Sequence, residues 1–286
     1  MKLVRFGPRG CEKPGMIDPQ GGIRDVSAYV MDINPASLGD PFILHQFENI
    51  DWKDLPLVAP GTRLGVCVNV VGKIVCIGFN SQQHALEVGI KRPVNAEPII
   101  FLKPTSSLAG PYDPIMYTRH TKKLDWEAEL AVVIGKQGKY ISLDRAHEHI
   151  FGYACFNDLS ERYLQFETDD KQFTKGKCFD SAATLGPYLV SKSEIVDSRD
   201  LLIQLWVNNQ LRQNFNTKDY IYSPEEIIVY LSQYFTLYPG DIISMGSAPG
   251  SACAWGENCF LQPGDEVKLE IVGLGQQCQR VVNETE

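Results

Sequence analysis

The segment Asp125-Trp126-Glu127-Ala128-Glu129-Leu130-Ala131-Val132-Val133-Ile134-Gly135 constrains this chain more than any other. Alternate residues of a strand leave opposite faces. Glu127 and Glu129 therefore share one face, which runs on to Ala131 and Val133, while Ala128, Leu130, Val132 and Ile134 form the other. Both faces are apolar beyond the second glutamate. The strand must enter the interior, with two carboxylates at its point of entry. Adjacent buried anions repel each other and resist desolvation, so they need a cation or shared protons. The apolar run Gly152-Tyr153-Ala154-Cys155-Phe156 repeats the situation by ending in Asn157-Asp158. Three carboxylates from two strands suit a hard divalent cation such as Mg²⁺ or Ca²⁺, with positions open for water and substrate. Unrelated ion pairs are the alternative that this spacing leaves open.

Other candidate groups are sparser. Ser81 to Gly89 reads as a short helix, with Ser81 as cap and Gly89 as stop. His84 and Glu87 stand three apart on it and can meet on one side. A carboxylate beside an imidazole orients it and raises its basicity, as a base acting on water requires. A polar helix surface is the competing reading. Lys177 follows a glycine that permits close backbone approach, and by itself reads as a surface lysine. His147 and His149 are two apart on an expected helix, a poor ligand pair, and both are expected at the surface. The chain has no Gly-rich nucleotide cradle, no Gly-x-Ser-x-Gly elbow and no Cys-x-x-Cys pair.

Residues 1–72, punctuated by Gly and Pro, read as a small N-terminal domain, and residues 73–286 as the main body. In the body, strands outnumber short helices. Leu201 to Phe215 reads as a hairpin turning at Asn208-Asn209, and Ser223 to Phe235 as an amphipathic helix with Pro224 in its first turn. The fold class expected is mixed α/β and β-rich, not a doubly wound parallel sheet. The 27 basic and 35 acidic residues give a net charge of -8, which argues against a general nucleic-acid binder. That balance does not exclude an anionic small substrate, because a metal or a lysine can reverse the field locally. Eight scattered cysteines, no signal-like N-terminus and no apolar membrane-length run point to a cytoplasmic protein without membrane association.

In this order the motifs resemble the fumarylacetoacetate hydrolase superfamily over roughly residues 70–280. Asp125 to Lys136 resembles its first metal-ligand motif and implies Glu127 and Glu129 as ligands. Gly152 to Gln165 resembles the second, implying Asp158 as third ligand and Arg162 and Gln165 as substrate contacts. Thr174 to Pro187 resembles the segment whose lysine, here Lys177, acts in the active site. Tyr238 to Gly250 resembles a strand and substrate loop, implying contacts from Gly246 and Ser247. Ser247 stands where the family has Thr, and Cys253, Trp255 and Cys259 are unusual after it. The resemblance implies a β-roll body, Mg²⁺ or Mn²⁺, a homodimer, and a catalytic His84–Glu87 dyad on a lid. The N-terminal pattern is similar to bacterial members that act on 2,4-dioxo-3-deoxy sugar acids or carry the label ureidoglycolate lyase. The expected activity is metal-dependent hydrolysis of the carbon–carbon bond of a 2,4-dioxo acid to pyruvate and a hydroxy acid. The alternatives are oxaloacetate decarboxylation, ureidoglycolate cleavage, and a non-catalytic member that binds a metabolite.

Overall fold

The computed structural model describes residues 1–93, 96–170, 172–256 and 259–284. Its centre is the strand Ala128–Ile134, buried at every position. This strand pairs antiparallel with Ile150–Asp158 on one side and with Ile242–Ser244 on the other. The sheet continues from Ile242–Ser244 through Ile74–Gly78 to Ile99–Lys103. In the other direction it runs through Leu189–Ser191 to the N-terminal strands Lys2–Phe6, Lys13–Ile17 and Ile23–Asp25. A second sheet has the order Gln210–Asn216, Leu202–Val207, Glu266–Ile271, Gly275–Asn283, Ile115–Tyr117. Neither sheet closes on itself, and the architecture is mixed α/β and strand-rich, as the sequence indicates.

The two faces of the central strand enter different cores. Leu130, Val132 and Ile134 pack with Cys155, Ile203, Leu205 and Leu269 against the second sheet. Ala131 and Val133 pack with Ala154, Phe156, Leu3, Ile33, Leu38 and Phe47. The apolar continuation after Glu129 is thus explained by layers on both sides. Each large aliphatic side chain so buried contributes roughly 1.5–3 kcal/mol. Residues 1–72 share the second of these cores with residues of the body, and Arg63 donates to Glu12 at 2.8 Å and to Asp113 at 2.6 Å. Among the described residues no helix is long and apolar enough to cross a membrane.

Local signals held where they rest on a specific turn or cap. Asn208 and Asn209 both take positive φ, at 49° and 63°, the conformation of a tight two-residue hairpin turn. Ser223 and Glu226 form a reciprocal capping box at the start of Pro224–Tyr234. Two readings change. Leu159 to Phe166, a segment whose sequence taken alone reads as one helix, is split into a short strand at Ser160–Glu161 and a π-helical turn at Tyr163–Glu167. The Glu161 carboxylate accepts from the backbone N–H groups of Lys122, Lys123 and Leu164, which keeps the first part extended. His149, expected at the surface with His147, is buried, with Nδ1 2.9 Å from the Lys136 carbonyl. Its ring closes a backbone acceptor that the irregular loop leaves unpaired.

Gly152 marks the irregularity where Ile150–Asp158 shifts register against the central strand. A Cβ there would lie 2.0 Å from the Val190 carbonyl oxygen of the neighbouring strand. We expect Gly152→Ala to destabilise the fold by about 1–3 kcal/mol, seen as a lower urea midpoint at unchanged m value. An unchanged midpoint would show that the two strands separate freely.

Candidate active site

The register of two strands assembles the site. Ala128 pairs with Asn157 and Glu129 with Phe156, and the Asp158 N–H donates to the Glu127 carbonyl at 2.9 Å. Glu127, Glu129 and Asp158 consequently project from the same face. All three are buried, and one oxygen from each lies within 4.8 Å of the others.

Cations surround two of these carboxylates. Arg162 donates from Nη2 to Glu127 Oε1 at 2.7 Å, from Nε to Asp125 Oδ2 at 2.7 Å, and from Nη1 to Gln165 Oε1 at 2.9 Å. Lys177 donates to Asp158 Oδ2 at 2.8 Å and also to Glu127. Lys103 donates to Asp158 Oδ1 and to the Leu159 carbonyl, the latter at 3.1 Å. Burial would raise the Glu127 carboxyl, but Arg162 and Lys177 outweigh it and hold the group well below the usual range. Burial would lower the Lys177 ammonium, and Asp158 and Glu127 raise it instead. Glu129 is different. It accepts from the Ser244 hydroxyl and from the Gly246 N–H at 2.9 Å. Burial, reinforced by the Asp158 and Glu127 charges, pushes its carboxyl up to about 8.

His84 projects from Gln82–Glu87 with Nε2 3.3 Å from Glu127 Oε1. Its Nδ1 is 3.8 Å from Glu87 Oε2 and is buried without a hydrogen-bond partner. Glu87 Oε2 instead accepts the Gly250 N–H at 2.9 Å. The dyad is therefore adjacent but unclosed. Burial alone would lower the His84 imidazole; the Glu127 and Glu87 carboxylates raise it. Ile77, Phe79, Phe101 and Phe173 form the apolar side of the same cleft, with Gln165 and Ser247 also lining it. Its space of about 20 Å³ is near that of one water. A larger ligand requires the surrounding side chains or the short helix to move.

All ten sequence-predicted residues lie in this region, although not all are free to meet a ligand. Arg162 is engaged by Glu127 and Asp125, and the Gly246 N–H holds Glu129. Lys177 is buried against two carboxylates and is not a surface lysine. Sequence reasoning passed over Lys103 and Asp125. Lys103 is a lone cation closing an apolar strand before Pro104, which was a readable signal. Asp125 accepts from Trp126 N–H and Ala252 N–H as well as Arg162, a role visible only in three dimensions.

The donor set fits a hard divalent cation: three buried carboxylates, oxygen donors only, one of them pushed toward protonation by burial and by the other two. Glu129 gives this a pH signature. A folded pKa near 8 against 4.5 when free means that the folded state binds the extra proton between those values. Its stabilisation is present at low pH and lost as pH rises toward 8. In chelator, the wild-type urea midpoint should fall from about pH 5.5 to about pH 9, and Glu129→Gln should flatten that slope. An equal slope in the variant would assign the titration elsewhere.

Residues 73–282 match the family model described as fumarylacetoacetate (FAA) hydrolase C-terminal. A relative from Burkholderia orbicola strain MC0-3, which carries the provisional name of hydrolase, is 43% identical over 284 residues, covering 99% of each chain. The fumarylacetoacetate hydrolase of the psychrophilic Exiguobacterium antarcticum superposes with a TM-score of 0.85 at 31% identity, over 99% of this chain and 100% of that one. The maleylpyruvate hydrolase of Sphingobium sp. SYK-6, solved with manganese(II) and pyruvate, gives 0.83 at 25% identity over 100% of both chains. With its fold, its paired strands and its three converging carboxylates, the chain belongs to the fumarylacetoacetate hydrolase family.

Proposed function

We propose that the chain is a divalent-metal-dependent hydrolase that cleaves the carbon–carbon bond of a 2,4-dioxo acid, with a 2,4-dioxo-3-deoxy sugar acid as the substrate its N-terminal pattern favours. The observation that carries this is the convergence of Glu127, Glu129 and Asp158 opposite His84 in one buried cleft. That the Sphingobium maleylpyruvate hydrolase was solved in complex with manganese(II) and pyruvate supports a 2-oxo acid as ligand.

Glu127, Glu129 and Asp158 would hold the cation, Mg²⁺ or Mn²⁺. That cation would act as a Lewis acid toward negative charge developing on the 2-oxo oxygen. His84 Nε2 would take a proton from the attacking water, with Nδ1–H turned to Glu87 to fix the tautomer. Closing the present 3.8 Å gap requires His84 or Glu87 to shift, while Glu87 Oε2 also accepts the Gly250 N–H. Water adds to the C4 carbonyl, the C3–C4 bond breaks, and its electron pair passes to C3. Protonation at C3 completes pyruvate, and the C4 fragment leaves as the acid. Lys177 would add positive charge near the developing anion, and Arg162, Gln165 and Ser247 would hold the carboxylate or the distal group.

Pyruvate release from a 2,4-dioxo-3-deoxy sugar acid should require Mg²⁺ or Mn²⁺, and His84→Ala should lower kcat by about 10²- to 10⁴-fold. Cation-dependent thermal stabilisation should persist in His84→Ala and be lost in Asp158→Asn. Unchanged turnover in His84→Ala would remove the base from the scheme. The unpartnered His84 Nδ1 favours a second reading, decarboxylation of oxaloacetate, in which no water need be activated. Faster pyruvate release from oxaloacetate, insensitive to His84→Ala, would select it.

A further inference from the structure

One buried side chain outside the cleft has every polar group committed to the site. Gln213 lies on Gln210–Asn216 of the second sheet and is fully buried. Its Oε1 accepts the Ala128 N–H at 2.9 Å. Its Nε2 donates to Ser247 Oγ at 3.0 Å and to the Ala248 carbonyl at 2.9 Å. Ala128 stands between Glu127 and Glu129, and Ser247 lines the cleft. Along the central strand, Ile242–Ser244 reaches only Ala131 to Val133, and the next backbone bond is from Met245 N–H to the Leu130 carbonyl at 3.0 Å. Gln213 therefore serves Ala128 where that neighbouring strand has ended.

The chemistry of these partners fixes the amide's orientation. Reversing it would set Oε1 against the Ala248 carbonyl and an N–H against the Ala128 N–H. Nε2 has only hydrogens to offer, so Ser247 Oγ must accept from it. The hydroxyl proton then has to point elsewhere. Among the described residues its one protein acceptor is the Ala248 carbonyl at 3.5 Å, at the limit of a hydrogen bond and already served by Gln213. The remaining direction is the cleft, which also contains Arg162, Gln165 and Lys177.

We propose that Gln213 is a positioning residue that polarises Ser247, holding its hydroxyl proton toward the cleft so that it donates to an anionic carboxylate of the substrate. This rests on the 2-oxo acid reading above. An acceptor-facing hydroxyl would repel such a ligand, so the selectivity for an anion is set one residue behind the surface that touches it. Gln213→Glu inverts the arrangement, because a carboxylate accepts from Ser247 and turns its lone pairs outward.

The test is steady-state kinetics, together with calorimetric binding of pyruvate to the Mn²⁺-loaded protein, for Gln213→Glu, Ser247→Ala and the double variant. Gln213→Glu should raise KM and weaken pyruvate binding by about tenfold, as expected for loss of one hydrogen bond to a charged group. The loss should fall on KM rather than kcat, and Ser247→Ala should remove the further effect of the Gln213 change. Gln213→Met lacks the donor without adding charge, and should move both quantities in the same direction if the glutamate variant does not fold. Effects that add across the two positions, or a fall in kcat at constant KM, would overturn the proposal. If wild type turns over no 2-oxo acid, the proposed function fails separately. The pyruvate affinities then decide this inference alone: weakened binding in the Gln213 variants upholds it and unchanged binding overturns it.

Discussion

Three carboxylates held together out of water create the constraint to which the surrounding structure answers. An isolated buried carboxylate is expensive, and three within a few ångströms raise one another toward protonation. Arg162 and Lys177 neutralise Glu127, and Lys103 and Lys177 neutralise Asp158. These cations come from separate segments: the π-helical turn region, the short helix Phe173–Lys177 and the outer strand Ile99–Lys103. The need to bring them to one point ties distant parts of the chain to the central strand.

Glu129 keeps the balance incomplete. It has two hydrogen-bond donors, Ser244 and Gly246, and no direct ion pair among the described residues. Burial and the neighbouring Asp158 and Glu127 charges disfavour its ionised form, and a bound cation would relieve that. The same loop that supplies the Gly246 N–H supplies the Gly250 N–H to Glu87. Glu129 and Glu87 are thus both held from residues 246–250, with Ser247 between the two donors. Changes in that loop reach each of them by one hydrogen bond.

Much of this was legible from periodicity. The two-residue spacing of Glu127 and Glu129, followed by apolar residues on both faces, indicated a strand entering a double-layered interior. Asp158 at the end of a second apolar run indicated its partner. Lys103 was equally exposed to reading, as a cation inside an apolar strand, but nothing local links residue 103 to residue 158. The strand at Ser160–Glu161 and the burial of His149 were not legible, because each depends on backbone groups far along the chain. Local helical preference at 159–166 lost to the Glu161 carboxylate capturing three backbone N–H groups.

The sequence by itself determined which carboxylates lie on one face and that this face must be buried, since side-chain alternation along a strand is a local property. It also determined that His84 and Glu87 share one side of a short helix. Only the tertiary structure decided what each group bonds to. Strand register set Glu127 opposite Asp158, and the packing of the second sheet put Gln213 between Ala128 and Ser247. The loop at Gly250 gave Glu87 a backbone partner in place of the histidine beside it. Hydrogen-bond partners separated by more than a hundred residues, such as Gly246 and Glu129, follow from how layers stack, which no local pattern encodes.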